Sequence, residues 1–320
     1  MPHVFIEKGQ YELIPRMTEI ISVLECEQKA NNHPVHTGKT KWKQMSTFVA
    51  LKGTMLHHKI ENHEREKLDM QPIPLELTAG DRQLYNQVMA DPEALKWING
   101  EIRRGWDNFL QWERDFKPTY LVPEQTMVYA HYEGGRLIPK KSAKGTVDLI
   151  CEIDPDEMTE KAYTMFPLDD ISTVMLDWKS GSSKQVVHHA QLEGYHWMLG
   201  VTGKLEELIR QGLIRRPFAH MTNMTGRSYP VGLCVLLGGK YYKAIPYDLT
   251  EGLFTKAREM FLDPQPIVRS VIRWNNKEFR EGYHCVFCTY RDDGCQIFNV
   301  TGQEFDVTEG MLEFELVNRR

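Results

Sequence analysis

The sequence has few cysteines, no long apolar run and no excess of basic residues. Six cysteines among 320 residues are too few for a disulfide scaffold and are typical of a reducing compartment. No stretch approaches ~18 consecutive apolar residues, so no membrane-spanning helix is expected. The first 17 residues lack the apolar segment of a secretory signal, which predicts a cytoplasmic or nucleoid-associated protein. The net charge of -5 excludes a generally basic nucleic-acid-binding coat, although it leaves room for a local basic groove.

The composition is that of a globular protein with a sizeable core. Apolar residues make up 41% of the chain and charged residues 26%. At roughly 150 residues per domain, the length fits one large domain or two ordinary ones. Because no repeat or low-complexity linker divides the chain, we interpret it as one domain over 1–320. It comprises a mainly helical region (1–118), an α/β core (119–263) and a cysteine-containing region (264–320).

The spacing of the apolar residues predicts an α/β fold. Helical periodicity extends over residues 42–68, 91–116, 186–201 and 250–261. Segments rich in β-branched and aromatic residues predict strands at 120–132, 145–153, 171–179, 229–237 and 241–247. The order of helices, three strands, a helix, two strands and a helix predicts a mixed central sheet flanked by helices.

Two acids and a lysine stand on consecutive predicted strands. Asp148 lies on one strand, and Asp177 and Lys179 lie on the next. Because alternate residues of a strand share a face, Asp177 and Lys179 project together. Two carboxylates can hold a divalent cation that polarises a phosphodiester, and a lysine beside them can orient the attacking water. A lone Asp-x-Lys pattern is more often a structural ion pair, so the surrounding motifs decide the interpretation.

Four short motifs occur in order between residues 53 and 195. They are Gly53-x3-His57 on a predicted helix, Gly145-x2-Asp148 and Asp177-x-Lys179 on predicted strands, and Gln191-x3-Tyr195 on a predicted helix. In these motifs and their order the sequence resembles the RecB-like branch of the PD-(D/E)XK nucleases. The resemblance implies a restriction-endonuclease-like core with a helical N-terminal region and a cysteine-bearing C-terminal clasp. It also implies cleavage of DNA that depends on Mg2+ or Mn2+.

The resemblance further implies a role for each matching residue. The implied ligands of Mg2+ or Mn2+ are His57, Asp148, Asp177 and the main-chain carbonyl of Trp178. The implied catalytic residues are Asp148, Asp177, Lys179, Gln191 and Tyr195. Gln191 would position the lysine and a water molecule, and Tyr195 would face the DNA backbone.

Two further residues near these motifs are candidates. Glu124, on the strand before Asp148, matches a frequently acidic position of such nucleases and is expected to lie outside the ligand set. His58 is chemically equivalent to its neighbour His57, and only the spacing from Gly53 selects His57.

Three of the six cysteines, Cys285, Cys288 and Cys295, are clustered. In a reducing compartment this clustering favours metal ligands over disulfide partners. Several RecB-like nucleases, including AddB-type subunits and CRISPR-associated exonucleases, hold a 4Fe-4S cluster with one upstream and three C-terminal cysteines. The resemblance implies Cys26 as the upstream ligand. Four thiolates also bind structural Zn2+, and His284 adjoins Cys285, so the metal and the fourth ligand stay open.

Local positive charge gives candidates for contact with DNA. Lys140, Lys141 and Lys144 shortly precede Asp148. Basic residues near aromatic ones, Trp178 among them, suit a single-strand channel in which bases stack and phosphates pair with lysine. For any one such cluster, a solvated surface is the common alternative.

The expected function is that of an exonuclease acting on single-stranded DNA ends or flaps. Repair, recombination, CRISPR spacer processing and phage DNA metabolism are the candidate settings, with a helicase, recombination or CRISPR adaptation protein as partner and no membrane. The rival is a catalytically idle relative that binds DNA or a helicase. The intact set of His57, Asp148, Asp177 and Lys179 argues against it, because a protein that only binds has no need of the lysine.

Overall fold

The computed structural model describes residues 8–24, 33–37, 48–222 and 224–264, which form a mixed sheet flanked by helices. The helices are α1 Lys8–Leu13, α2 Met17–Ile21, α3 Pro34–Thr37, α4 Phe48–Lys67, α5 Ala79–Ala90, α6 Pro92–Phe116, α7 Glu160–Met165, α8 Val186–Val201, α9 Lys204–Arg210 and α10 Leu253–Leu262. The strands are β1 Thr119–Tyr129, β2 Tyr132–Glu133, β3 Arg136–Leu137, β4 Ala143–Ile153, β5 Ser172–Lys179, β6 His220–Thr222, β7 Ser228–Leu236 and β8 Lys243–Asp248. The predicted α/β class is therefore confirmed.

The main sheet has the strand order β1-β4-β5-β7-β6, and β8 pairs with β7. Strands β5 and β7 are parallel, whereas the other pairs are antiparallel. Strand β5, which carries Asp177 and Lys179, is central and almost entirely buried. The Asp-x-Lys pair therefore stands in the interior of the sheet and not on its surface.

Helices cover both faces of the sheet. One apolar cluster joins the sheet to α2, α8 and α10, and a second joins it to α4, α6 and α7. The long helix α6 begins where the Asp91 carboxylate accepts hydrogen bonds from the N–H groups of Glu93 and Ala94. Its apolar stripe includes the fully buried Phe109, whose burial contributes roughly 1.5–3 kcal/mol. This packing holds α4 against one face of the sheet and α8 against the other, close to the acids of β4 and β5.

The predicted elements agree with the structure to within a few residues. The predicted helix 186–201 coincides with α8, and the predicted strand 145–153 corresponds to β4. Part of the predicted helix 42–68, residues 42–47, lies outside the described residues. The sequence patterns did not predict α1, α2, α3, α5, α7, α9, β6 or the β2–β3 hairpin as separate elements.

Two further predictions concern membrane spans and cysteines. None of the helices in the described part of the chain is long and apolar enough to cross a membrane. Cys151 and Cys234 are buried free thiols in β4 and β7. The four predicted cluster ligands, Cys26, Cys285, Cys288 and Cys295, lie outside the described residues, and so does His284.

Candidate active site

Helix α4 brings His57 to the acids of the sheet. One turn earlier, Gly53 passes so close to the end of β5 that an added Cβ would lie 3.2 Å from Ser180 Oγ. This close approach puts His57 Nδ1 3.8 Å from Asp148 Oδ2. The main chain of Trp178, whose carbonyl is the predicted additional ligand, acts on the same ring and raises the pKa of His57. Desolvation, and then the Lys179 charge, lower the pKa of His57 to about 4, so the imidazole is neutral and able to bind a metal at pH 7.

His58, the alternative histidine, has a different partner. Its Nε2 lies 2.9 Å from the carbonyl oxygen of Ile73 and 3.1 Å from Asn62 Nδ2. Asn62 fixes the same loop, because it accepts a hydrogen bond from the Ile73 N–H at 2.8 Å. His57 therefore lies against Asp148, whereas His58 contacts the loop around Ile73.

Glu124 lies directly across from Asp148 on the neighbouring strand. The pairing of Pro123 with Leu149 and of Gln125 with Val147 puts these two acids opposite each other. Such cross-strand partners have side chains on the same face. Glu124 also has a φ of 47°, in the left-handed region that non-glycine residues rarely adopt. This strained backbone at a cluster of acids is typical of functional sites.

His57, Glu124 and Asp148 form a group able to hold a metal ion. One ligand atom from each lies within 4.8 Å of the others. Glu124 therefore belongs to the cluster, whereas the sequence placed it outside the ligand set. Asp177, a predicted ligand, lies outside this 4.8 Å group and is held by Lys179 instead.

The surroundings of the cluster supply too little positive charge to keep all of its carboxyl groups ionised. Desolvation, and then the Asp148 charge, raise the pKa of Glu124 to about 9. Desolvation also raises the pKa of Asp148 to about 6, against the opposing effects of Lys179 and the Trp178 N–H. A divalent cation would supply the missing positive charge, so both carboxyls would then ionise.

A chain of hydrogen bonds links Asp177 to helix α8. Lys179 Nζ donates to Asp177 Oδ1 at 2.8 Å and to Gln191 Oε1 at 3.0 Å. Gln191 Nε2 in turn donates to the Tyr195 hydroxyl at 2.6 Å. Burial alone would lower the pKa of Lys179, but the charges of Asp177 and Asp148 raise it. The lysine is therefore a fixed ammonium, as its predicted role requires.

The first glycine of the Gly145-x2-Asp148 motif makes room for Tyr195. A Cβ at position 145 would lie 2.8 Å from Tyr195 Cε1. Since no real Cβ approaches a ring carbon that closely, a side chain there would push the tyrosine out of place. The spacing of the motif thus has a packing reason, because it lets α8 approach β4 beside Asp148.

The residues present fit a hard divalent cation. They supply the carboxylate oxygens that Mg2+ and Mn2+ prefer, together with one neutral imidazole. In addition, the Asp177 carboxylate is fully buried, and its Oδ2 lacks a hydrogen-bond partner among the described residues. Lys179 Nζ lies 2.7 Å from that oxygen, but only Oδ1 receives the lysine in hydrogen-bond geometry. This oxygen is thus ion-paired with the lysine, and the fit to a cation depends on His57, Glu124 and Asp148.

Two acids of α4 were missed by the sequence analysis. Glu61 lines the same cavity as His57, and Glu64 is buried and accepts a hydrogen bond from Trp178 Nε1 at 3.1 Å. Desolvation, and then the charges of Asp148 and Glu124, raise the pKa of Glu64 well above its usual value. The signal was present, because residues 57, 61 and 64 share one face of a helix.

The predicted DNA-binding residues are not brought together as one surface. Lys141 pairs with Glu133, and Lys140 is exposed on a short 3-10 turn, Pro139–Lys141. Lys144 instead donates to the carbonyl oxygen of Tyr11 at 2.7 Å and lines a cavity that Asp148 also lines.

The stacking role expected of Trp178 is wrong. Its indole is 1% exposed and packs against Trp112 in the core, with ring centroids 4.8 Å apart. A base has no access to it. Trp178 instead supports the site by donating its main-chain N–H to Asp148 and its indole N–H to Glu64.

Replacing Glu124 by glutamine is expected to stabilise the metal-free protein at pH 8 but not at pH 5. The folded pKa of about 9 exceeds the ordinary value of 4.5, so the stability linked to this group is fully present below pH 4.5. It is lost as the pH rises toward 9, and glutamine avoids that loss. Each kcal/mol regained raises the Tm by about 2–4 °C in a domain of this size. Calorimetry in EDTA at both pH values checks this, with the exposed Glu66→Gln as control. Equal Tm values for Glu124→Gln and wild type at pH 8 would remove Glu124 from the acidic cluster.

Comparisons with known proteins do not name a family. No protein-family model matches the sequence, and no curated protein matches it. Among solved structures, the chain is similar to the crystal structure of SSO0001, with 15% sequence identity and a TM-score of 0.31. The match covers 85% of this chain and 94% of that one. A similarity at this level carries no information on activity.

Proposed function

We propose that this chain is a Mg2+- or Mn2+-dependent deoxyribonuclease with a RecB-like PD-(D/E)XK core. One observation carries the proposal: a group of side chains able to hold a cation lies next to a buried ion pair of an aspartate and a lysine. A group of His57, Glu124 and Asp148 is spaced to hold a cation, and beside it the buried Asp177 is bonded to Lys179. An ordinary surface ion pair explains neither the burial nor the excess of carboxyl groups.

The metal and the lysine have separate parts in the proposed reaction. A bound Mg2+ or Mn2+ supplies Lewis-acid polarisation of a phosphodiester and a water of lowered pKa. His57, Glu124 and Asp148 would hold it. Lys179 carries a permanent charge and is fixed by Asp177 and Gln191. It can donate a hydrogen bond to the attacking water or to a phosphate oxygen on which charge develops.

The proposed substrate is single-stranded DNA with a free end. The cavity over the acids, lined by α4 and the loop around Ile73, has a volume of about 670 Å³. This cavity is proposed to hold nucleotides of one strand, and it is bounded by the loop that Asn62 holds in place. The proposed settings of this exonuclease are repair, recombination, CRISPR spacer processing or phage DNA metabolism in the cytoplasm, with a helicase or adaptation partner, and they are supported by the sequence resemblance alone.

A catalytically idle DNA-binding or helicase-binding protein is the second candidate. It would need neither the Lys179 ammonium nor its fixation by Gln191 and Asp177. Incubating purified protein with end-labelled single- and double-stranded DNA distinguishes the two. We expect Mn2+-dependent shortening of the single strand from an end, and none in EDTA. Binding to the same DNA without any cleavage in Mn2+ or Mg2+ would favour the idle protein.

We also propose that Cys26, Cys285, Cys288 and Cys295 hold a 4Fe-4S cluster, with structural Zn2+ as the alternative. This proposal is supported by the sequence pattern alone, since these residues lie outside the described part of the chain. Anaerobically purified protein is expected to be brown, with broad absorbance near roughly 400 nm. Cys285→Ala should lose the colour and lower the Tm, because such ligation is linked to folding.

Cys151→Ala is the matched control for this cysteine test. Cys151 is a buried free thiol in β4, so its replacement should leave the colour intact. A colourless protein with one zinc per chain would replace the iron–sulfur cluster by zinc. A protein prepared without oxygen that contains neither iron nor zinc would contradict the proposal that these cysteines bind a metal.

A further inference from the structure

A second, smaller cavity adjoins the acidic one, and Asp148 lines both. Its volume is about 360 Å³. The polar and aromatic residues on its walls are Tyr11, Arg16, Thr126, Lys144, Thr146 and Tyr195. None of these residues has a part in the cluster of His57, Glu124 and Asp148. We call this space the Arg16–Lys144 pocket.

The two cavities differ in charge. The larger one is lined by Glu61, Glu76, Glu124 and Asp148, with no lysine or arginine among its described lining residues. The Arg16–Lys144 pocket has two cations, and Asp148 is the one acid among the described residues that line it. A polyanion passing over Asp148 is therefore attracted on one side and repelled on the other, except where a metal ion compensates.

The donors in this pocket are held in place and keep hydrogen-bonding capacity. Lys144 Nζ donates to the Tyr11 carbonyl oxygen at 2.7 Å and lies 4.4 Å from the centre of the Tyr11 ring. Since an ammonium has three N–H donors, this arrangement leaves capacity for an anion. Thr126 and Thr146 are cross-strand partners whose hydroxyls lie 3.0 Å apart on the pocket wall. Two cations and two hydroxyls on one wall suit a phosphate group.

Two acids near Lys144 do not line the pocket. The charges of Glu19 and Glu12 both act on Lys144. Glu19, however, accepts a hydrogen bond from the Arg16 main-chain N–H at 2.6 Å and lies 3.4 Å from His33 Nε2. Glu12 is exposed and does not line the pocket.

We infer that the Arg16–Lys144 pocket binds a phosphate of the substrate strand next to the one that is cleaved at Asp148. The inference rests on the proposed nuclease function and adds the direction in which the DNA strand crosses the site. The strand enters over the basic pocket, and the released nucleotide lies in the acidic cavity. The exposed Tyr11 ring offers a surface on which the neighbouring base can stack. The phosphate is either an internal phosphodiester or a terminal phosphate, which share this chemistry.

The test is the affinity for a fluorescent oligothymidylate of ~15 nucleotides, a length that single-strand sites span. It is measured by anisotropy with Ca2+ in place of Mn2+, at several salt concentrations. Arg16→Gln and Lys144→Gln should each weaken binding about tenfold, as expected for loss of a charged hydrogen bond. Each should also reduce the slope of log K against log salt by about 0.7, the value for one lost phosphate contact on a single strand. Lys144→Arg should restore both values.

Arg103→Gln is the control, because Arg103 is exposed on α6 and lines neither cavity. Thermal melts confirm that each variant is folded. Oligonucleotides with a 5′-hydroxyl, a 5′-phosphate or a 3′-phosphate show whether the pocket binds an internal phosphodiester or a terminal phosphate. An equal loss on all three indicates an internal phosphodiester, and a loss on one phosphorylated form indicates that terminal phosphate.

Unchanged affinity and unchanged salt slope in both glutamine variants would overturn the inference, even if wild type cleaves DNA. If the variants lose DNA affinity as expected but the wild type never cleaves DNA, phosphate binding by the pocket is confirmed and the nuclease proposal is wrong.

Discussion

Replacing Lys179 by methionine is expected to reduce DNA cleavage by at least about 10²–10³-fold, the usual cost of losing one preorganised donor at a reacting oxygen. Methionine keeps much of the length of the side chain and removes the charge that Asp177 and Gln191 hold in place. Mn2+ affinity should not fall, because Lys179 repels a cation. The rate is measured with labelled single-stranded DNA at saturating Mn2+.

Lys184→Met is the matched control for this experiment. Lys184 lies five positions further along the chain, with its ammonium over the Tyr247 ring and outside the acidic cluster. This variant should cleave at the wild-type rate. Cleavage by a folded Lys179→Met protein at the same rate as by Lys184→Met would rule out the catalytic role of the lysine.

Replacing Asp148 by asparagine is expected to weaken Mn2+ binding more than about tenfold and to abolish cleavage. An amide carries no charge to offset the cation. The fold should persist, since the amide oxygen can still accept the hydrogen bond that the Trp178 N–H donates to Asp148 Oδ2 at 2.6 Å. Calorimetric titration with Mn2+ measures the affinity directly.

Asp156→Asn provides the comparison for Asp148. Asp156 is an exposed turn residue, so its variant should titrate like wild type. An Asp148→Asn protein with unchanged Mn2+ affinity would exclude Asp148 from the metal site.

Periodicity predicted the buried elements well and the peripheral ones poorly. The helix at 186–201 was predicted to the residue, because apolar side chains recur along it and ten of its residues are buried. Helix α5 was missed, since Val88 is its one buried residue and the apolar stripe is weak. A capping signal was nevertheless available, because Thr78 Oγ1 accepts a hydrogen bond from the Asp81 N–H.

The candidate site was predicted where motif spacing reflects packing. Gly53 and Gly145 mark close approaches to Ser180 and Tyr195, so their distance from His57 and Asp148 carries structural information. The position of Glu124 carried no such signal.

Two local features decide the position of Glu124. Strand β1 has an irregularity at Leu121, since Tyr120 pairs with Cys151 and Val122 with Ile150. An extra residue of this kind redirects the side chains that follow it. Glu124 then takes a left-handed backbone conformation that sequence composition does not predict. Sequence patterns also did not predict that Lys144 lies apart from Lys140 and Lys141. Its position depends on its contact with Tyr11, which is 133 positions away.

The central claim is that His57, Glu124 and Asp148 hold one catalytic cation beside Asp177 and Lys179. Anomalous diffraction at the manganese edge, from crystals soaked in Mn2+, tests it most directly. We predict one strong peak within about 2.0–2.6 Å of the His57 ring and of carboxylate oxygens from Glu124 and Asp148. Manganese bound elsewhere, with no peak among these three side chains, would contradict the account.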